Sequence, residues 1–202
     1  MTTQRAPTQA STPPARAQRA DAKRNVERLL DAARVAIARE GPEASLDDIA
    51  RDAGVGSGTL YRHFPTRVAL LEAVYREEVQ RLCAEGDRLI DSDAAPGDAL
   101  SEWLREYVKV GAMKRGLMGP LTAALGQDSD LFSSCKQMVK STGGRLVERA
   151  QAAGAIRDDV EIMDVLTLVS AIAHAGELTG EGSGLSDRLL TVAIDGLRRA
   201  AD

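Results

Sequence analysis

Tyr61, Arg62 and His63 stand side by side in a chain of 202 residues that holds only three tyrosines and two histidines. Ser57 and Thr59 lie just upstream. Phenol, imidazole and guanidinium groups grouped this closely suit donation to phosphate oxygens, and small hydroxyls at a helix start can approach base edges. A catalytic reading has little to stand on. The chain has no Gly-rich phosphate loop, no G-x-S-x-G elbow and no H-E-x-x-H, and one of its histidines is already part of this cluster, so no enzymatic activity is expected.

The elements that would position these groups can be read from the flanking residues. Ser45 caps a short helix with Asp48 in the reciprocal position, and Leu46, Ile49, Ala50 and Ala53 mark its buried face. Gly54 ends that helix and Val55 fills the elbow. Leu60 and Phe64, spaced i and i+4, anchor a second short helix from beneath and leave Ser57, Thr59, Tyr61, Arg62 and His63 outward. This is a helix-turn-helix pattern. Tyr61, His63 and Arg67 are expected on phosphates, and Thr59 and Arg62 on bases, since Arg suits the paired acceptors of guanine. Ser57 and Thr59 read equally well as helix-start residues. With Arg24 at the beginning of the first helix and Ser45 at the cap, the candidate DNA contacts are Arg24, Ser45, Ser57, Thr59, Tyr61, Arg62, His63 and Arg67.

The ordered residues Ala44-Ser45, Ile49-Ala50, Ala53-Gly54-Val55, Gly58-Thr59-Leu60-Tyr61, His63-Phe64 and Arg67 resemble the DNA-binding domain of the TetR family of transcriptional repressors. Gly56 stands where the family usually has a capping Ser, Ile37 where it often has Phe, and Arg67 where it usually has Lys. Gly is an acceptable cap, Ile stays apolar and Arg keeps the charge. The resemblance implies a homodimeric repressor that binds a palindromic double-stranded DNA operator and is released by a small, mostly apolar molecule. Met113 to Leu117 and Ala123 to Gly126 resemble the regulatory domain of one large subgroup.

Charge is distributed in keeping with this expectation. The chain carries 26 Lys and Arg against 30 Asp and Glu, a net charge of −4, yet residues 1–67 hold 11 basic against 8 acidic groups and come out positive. The acidic remainder disfavours indiscriminate contact with DNA. Two cysteines, Cys83 and Cys135, are too few and too far apart for a disulfide scaffold or zinc knuckle, which suits a reducing cytoplasm. No apolar run approaches the ~20 residues that span a bilayer, and no cofactor is expected.

Along the chain, residues 1–21 read as a disordered tail, 22–67 as the helix-turn-helix domain and 68–202 as a helical effector and dimerisation domain, giving an all-α protein of about nine helices. The first helix starts near Ala22, a connecting helix runs to Ile90, and further helices are expected at about 98–114, 117–126, 130–153, 161–178 and 185–200. Trp103, Tyr107, Met113, Met118, Leu121, Phe132, Met138 and His174 are candidates to line an apolar pocket, with core packing as the rival for each. His174 reads as a buried histidine. Two apolar stripes near the C-terminus each need a partner, either the subunit's own core or a second subunit. Small residues favour the second subunit, with Val165, Val169, Ile172, Leu189, Val192 and Gly196 as the expected interface. The alternative function is a helical protein-interaction module, or a ligand-binding protein that does not touch DNA.

Overall fold

The computed structural model describes residues 15–178 and 184–198, and the fold within them is all-α. Helices α1 (Ala15–Glu40), α2 (Leu46–Asp52) and α3 (Ser57–His63) form an N-terminal head. Helix α4 (Arg67–Ile90) leads from it into a body of α5 (Pro96–Leu125), α6 (Asp130–Ala152), α7 (Ile162–Leu178) and α8 (Leu185–Leu197).

Helix α1 begins at Ala15, earlier than the expected Ala22, because the run of Ala, Arg and Gln over residues 15–20 has high helix propensity and nothing in it stops the helix. The disordered tail expected over residues 1–21 is therefore corrected for residues 15–21, which are helical, and its remainder, residues 1–14, lies outside the described residues. The two helices expected at 98–114 and 117–126 are one, α5. Gly116 and Gly119 do not take positive φ, and Pro120 sits inside the helix. Leu117 and Leu121, both with no exposed surface, hold these turns onto the core, so tertiary burial overrides the local breaking signals.

The body is organised around Trp103 of α5. Its indole is wholly buried and its Nε1 donates to the Leu82 carbonyl at 3.0 Å. Gly86 on α4 and Gly143 on α6 form the slot that admits it: a Cβ at Gly86 would come within 2.9 Å of Nε1, and one at Gly143 within 2.7 Å of the far edge of the ring. Helices α4, α5 and α6 can approach this closely only where a side chain is missing. Arg149 of α6 then closes the α4–α5 corner by donating to the carbonyls of Leu89 (3.2 Å), Ser92 (3.1 Å) and Ala94 (3.2 Å). None of the described helices is long and apolar enough to cross a membrane.

Candidate nucleic-acid interface and apolar cavity

In the head, local rules set each angle. The Ser45 hydroxyl accepts from the Asp48 amide at 3.3 Å and caps α2. At the other end Gly54 takes φ +65, its amide donates to Arg51 O at 3.0 Å, and the Val55 amide donates to Ala50 O at 3.0 Å. That bond pair is a Schellman motif, which turns the chain sharply and needs the left-handed glycine. Gly56 then caps α3 through its backbone alone. Leu60, fully buried, and Phe64 pin α3 to the head's core of Leu29, Ala33, Ile37 and Ile49.

Tyr61, Arg62 and Ser57 consequently stand in solvent, with Tyr61 46% exposed, while Thr59 and His63 are half-buried at the edges of the same face. These five are brought together as expected. Arg24 is exposed on α1 and paired with Asp21. Arg67 is different: Nη1 donates to the carbonyls of Pro42 (2.9 Å) and Ala44 (2.6 Å), and Nε lies 3.7 Å from Glu43. Its Nη1 thus fastens the loop before α2 to the start of α4, a structural role beyond the expected phosphate contact. No local spacing announces a bond across that sequence distance.

In the body, α4, α5, α6 and α7 line a half-open cavity of about 700 Å³. Tyr75, Val79 and Leu82 form its α4 wall, and Tyr107, Val110 and Met118 its α5 wall. Phe132, Cys135, Lys136 and Val139 come from α6; Met163, Leu166, Ser170 and His174 come from α7. Tyr75 meets Phe132 edge-on at 6.0 Å, and burial pushes the Tyr75 phenol far above its ordinary value. The Tyr107 hydroxyl and Ser170 Oγ share a hydrogen bond of 3.0 Å.

Of the pocket residues expected from sequence, Tyr107, Met118, Phe132 and His174 line this cavity. Trp103, Leu121 and Met138 do not. Trp103 and Leu121 are fully buried in the core and Met138 packs against it, so the rival reading of core packing holds for these three. The side chain of Met113 lies outside the described residues. His174 is exposed rather than buried, because it sits on the open side of α7. Sequence reasoning missed Tyr75 and Lys136, and the signal for Lys136 was legible: it interrupts the apolar stripe of Phe132 and Val139 at helical spacing.

The C-terminal stripes also need correction. Val165 and Val169 are each 1% exposed and Ile172 is 7% exposed, so all three belong to the subunit's own core. Of the apolar faces of α7, the one carrying Val165, Val169 and Ile172 is the one turned inward. What is exposed instead is Leu168 (46%) and Ala171 on α7, and Val192 (69%) and Gly196 on α8; Leu189 is half-buried.

A short two-helix reader mounted on a helical body with a half-open, mostly apolar cavity has the architecture of a DNA-binding regulator. Residues 29–74 match the family model described as bacterial regulatory proteins of the tetR family, and residues 95–199 match that of the SbtR-like transcriptional regulator C-terminal domain. The chain belongs to the TetR family of transcriptional regulators, a class that is not enzymatic. It is similar to the TetR regulator SCO0520 of Streptomyces coelicolor, at 38% identity and TM-score 0.75 over 87% of this chain and 99% of that one. A TetR regulatory protein of Mycobacterium vanbaalenii is 35% identical with TM-score 0.70, covering 90% of this chain and 99% of that one. Among curated relatives, the transcriptional regulator TtgW of Pseudomonas putida is 46% identical over 61 residues, 30% of this chain and 46% of that protein. The repressor LfrR of Mycolicibacterium smegmatis is 41% identical over 71 residues, 35% and 36% of the two chains. The chain spans less than half the length of these curated relatives.

Proposed function

We propose that this chain is a homodimeric repressor, acting in the cytoplasm, that holds a near-palindromic operator through two copies of α3 and releases it when a small, mostly apolar molecule occupies the cavity. The DNA-binding domain is residues 22–67 and the effector and dimerisation domain residues 68–202. The observation that carries this reading is the double duty of α4. One side of it, Tyr75, Val79 and Leu82, walls the cavity. The adjacent side grips α1 of the head, with Arg81 2.6 Å from Asp31 and Glu78 3.5 Å from Arg34. A ligand that repositions α4 therefore moves the head.

Tyr61, Arg62, His63 and Thr59 meet the DNA, Tyr61 and His63 on phosphates and Arg62 on a base edge. The second subunit covers the exposed residues Leu168, Ala171, Val192 and Gly196, which replace the inward residues expected from sequence. Two recognition helices placed by that symmetry read half-sites about one DNA turn apart, ~34–36 Å. The test is operator affinity with and without ligand, paired with ligand affinity with and without operator. Linkage requires the two to weaken each other by one factor, typically ~5–150-fold. A ligand that fills the cavity yet is indifferent to operator overturns the mechanism. For the dimer, Val192→Asp should yield a monomer and abolish operator binding together; a monomer that binds at full affinity overturns the symmetry.

A further inference from the structure

The cavity wall carries more chemistry than an apolar effector requires. Lys136 is the only Lys, Arg, Asp or Glu among the described residues that line it. It lies on α6 one turn after Phe132 and one turn before Val139, in a stripe that the helix period would otherwise keep apolar. Its side chain is exposed to solvent at the cavity's edge, and no ion pair or hydrogen bond engages its ammonium among the described residues. Three of the lining hydroxyls are occupied: Tyr107 bonds with Ser170 at 3.0 Å, and Thr167 donates to Met163 O at 2.7 Å. An unmatched cation beside an apolar space of about 700 Å³, within the size range of small-molecule sites, selects for a ligand of one composition.

We propose that the effector is a monoanionic amphiphile, an apolar body lying between Tyr75, Val79, Met118 and Phe132 with a single carboxylate paired to Lys136. This deepens the effector reading above and rests on it. The carboxylate, brought to the edge of an apolar space, needs a charge partner, which Lys136 supplies; an ammonium ligand would meet repulsion there and no carboxylate among the described lining residues. A neutral molecule of the same shape gains the apolar contacts only.

The experiment is calorimetric titration of the full-length protein with decanoate and with 2-naphthylacetate, each beside the alcohol and the amine of the same carbon skeleton. It is repeated on Lys136→Met, whose unbranched apolar chain keeps the helix and the packing, and on Val139→Trp, which fills the cavity. The proposal expects at least one acid to bind about tenfold or more tighter than its alcohol, and the amine to bind least. Lys136→Met should erase the difference between acid and alcohol while leaving alcohol affinity within about twofold. An acid preference that survives Lys136→Met, or equal binding of acid and alcohol to the unaltered protein, overturns the charge assignment. If Val139→Trp abolishes the alcohol's binding in that case, the effector cavity itself still stands. Binding of every probe unchanged by Val139→Trp, or no binding at all, sinks the cavity and the proposal together.

Discussion

In the head, residues 45–67 place their DNA-facing groups through bonds between near neighbours: one hydroxyl cap, one left-handed glycine and one i, i+4 pair of apolar anchors. In the body, the cavity is assembled from four helices, with lining residues from Tyr75 to His174, and its shape depends on how closely those helices approach. The approach is set by absences, Gly86 and Gly143, that make room for Trp103. Chemistry placed by local rules tolerates distant change, whereas chemistry placed by packing inherits every fault in the core.

The largest effect should follow from breaking the body. Trp103→Ala removes the filler of the slot and its bond to Leu82, and should cost ~3–5 kcal/mol in denaturant unfolding. Gly143→Ala drives a Cβ to 2.7 Å from both the indole and Ile162, and should cost ~1–3 kcal/mol despite the better helix propensity of alanine. In the head, Gly54→Ala meets no close atom and loses only the left-handed preference, ~1–2 kcal/mol. A Gly54→Ala variant less stable than Trp103→Ala would invert the comparison.

The next effect separates two arginines that look alike in the motif. Arg62→Ala should leave stability within ~0.5 kcal/mol, as for any exposed site, yet cost ~1–3 kcal/mol of preference at one operator base pair. Arg67→Ala should do the reverse, losing ~1–2 kcal/mol of stability as the Pro42 and Ala44 carbonyls lose their donor. Its operator affinity should fall equally for all sequences with no change in salt slope. A reduced salt slope for Arg67→Ala, measured by titrating operator at several ionic strengths, would return it to the phosphate contacts.

The same division explains what could be read in advance. Ser45 and Gly54 announce themselves by type and spacing, because the bonds they organise span at most five residues, and Leu60 and Phe64 do so by their i, i+4 apolar spacing, although the core they meet is distant in sequence. The all-α class follows from helical periodicity sustained along the chain. The inward choice at Val165 and Val169 was not legible, since α7 is apolar on more than one face and sequence alone does not say which face meets the core. Trp103 was misplaced for a related reason: a large aromatic among apolar residues fits a cavity wall or a core equally, and only the glycines opposite decide. Two mid-helix glycines, each disfavoured by about 1 kcal/mol against alanine, were the available hint.

The smallest expected effect lies at the joint between the two regions. Glu78 on α4 faces Arg34 of α1 at 3.5 Å and Arg81 on its own helix at 3.5 Å, and only 14% of its side chain is exposed. Burial, the largest influence, raises its carboxyl above the ordinary value, while Arg81 and Arg34 pull it down and Glu77 and Asp31 push it up. The folded state therefore holds the Glu78 proton at pH values where the unfolded chain has released it. Stability contributed by this group is complete below its unfolded value and declines as pH rises through the raised one. Glu78→Gln keeps the shape and removes the titration, so the stability of the unaltered protein relative to Glu78→Gln should fall with rising pH across that window. Denaturant unfolding of both proteins at a series of values from about pH 4 to pH 8 brackets the ordinary glutamate value and the range above it. A difference that instead grows with pH would mean that Arg34 and Arg81 outweigh burial and that the joint is a firm ion pair. A flat difference would mean that Glu78 is solvated in the folded protein, and Arg81 with Asp31 would then be the ion pair that joins α4 to α1.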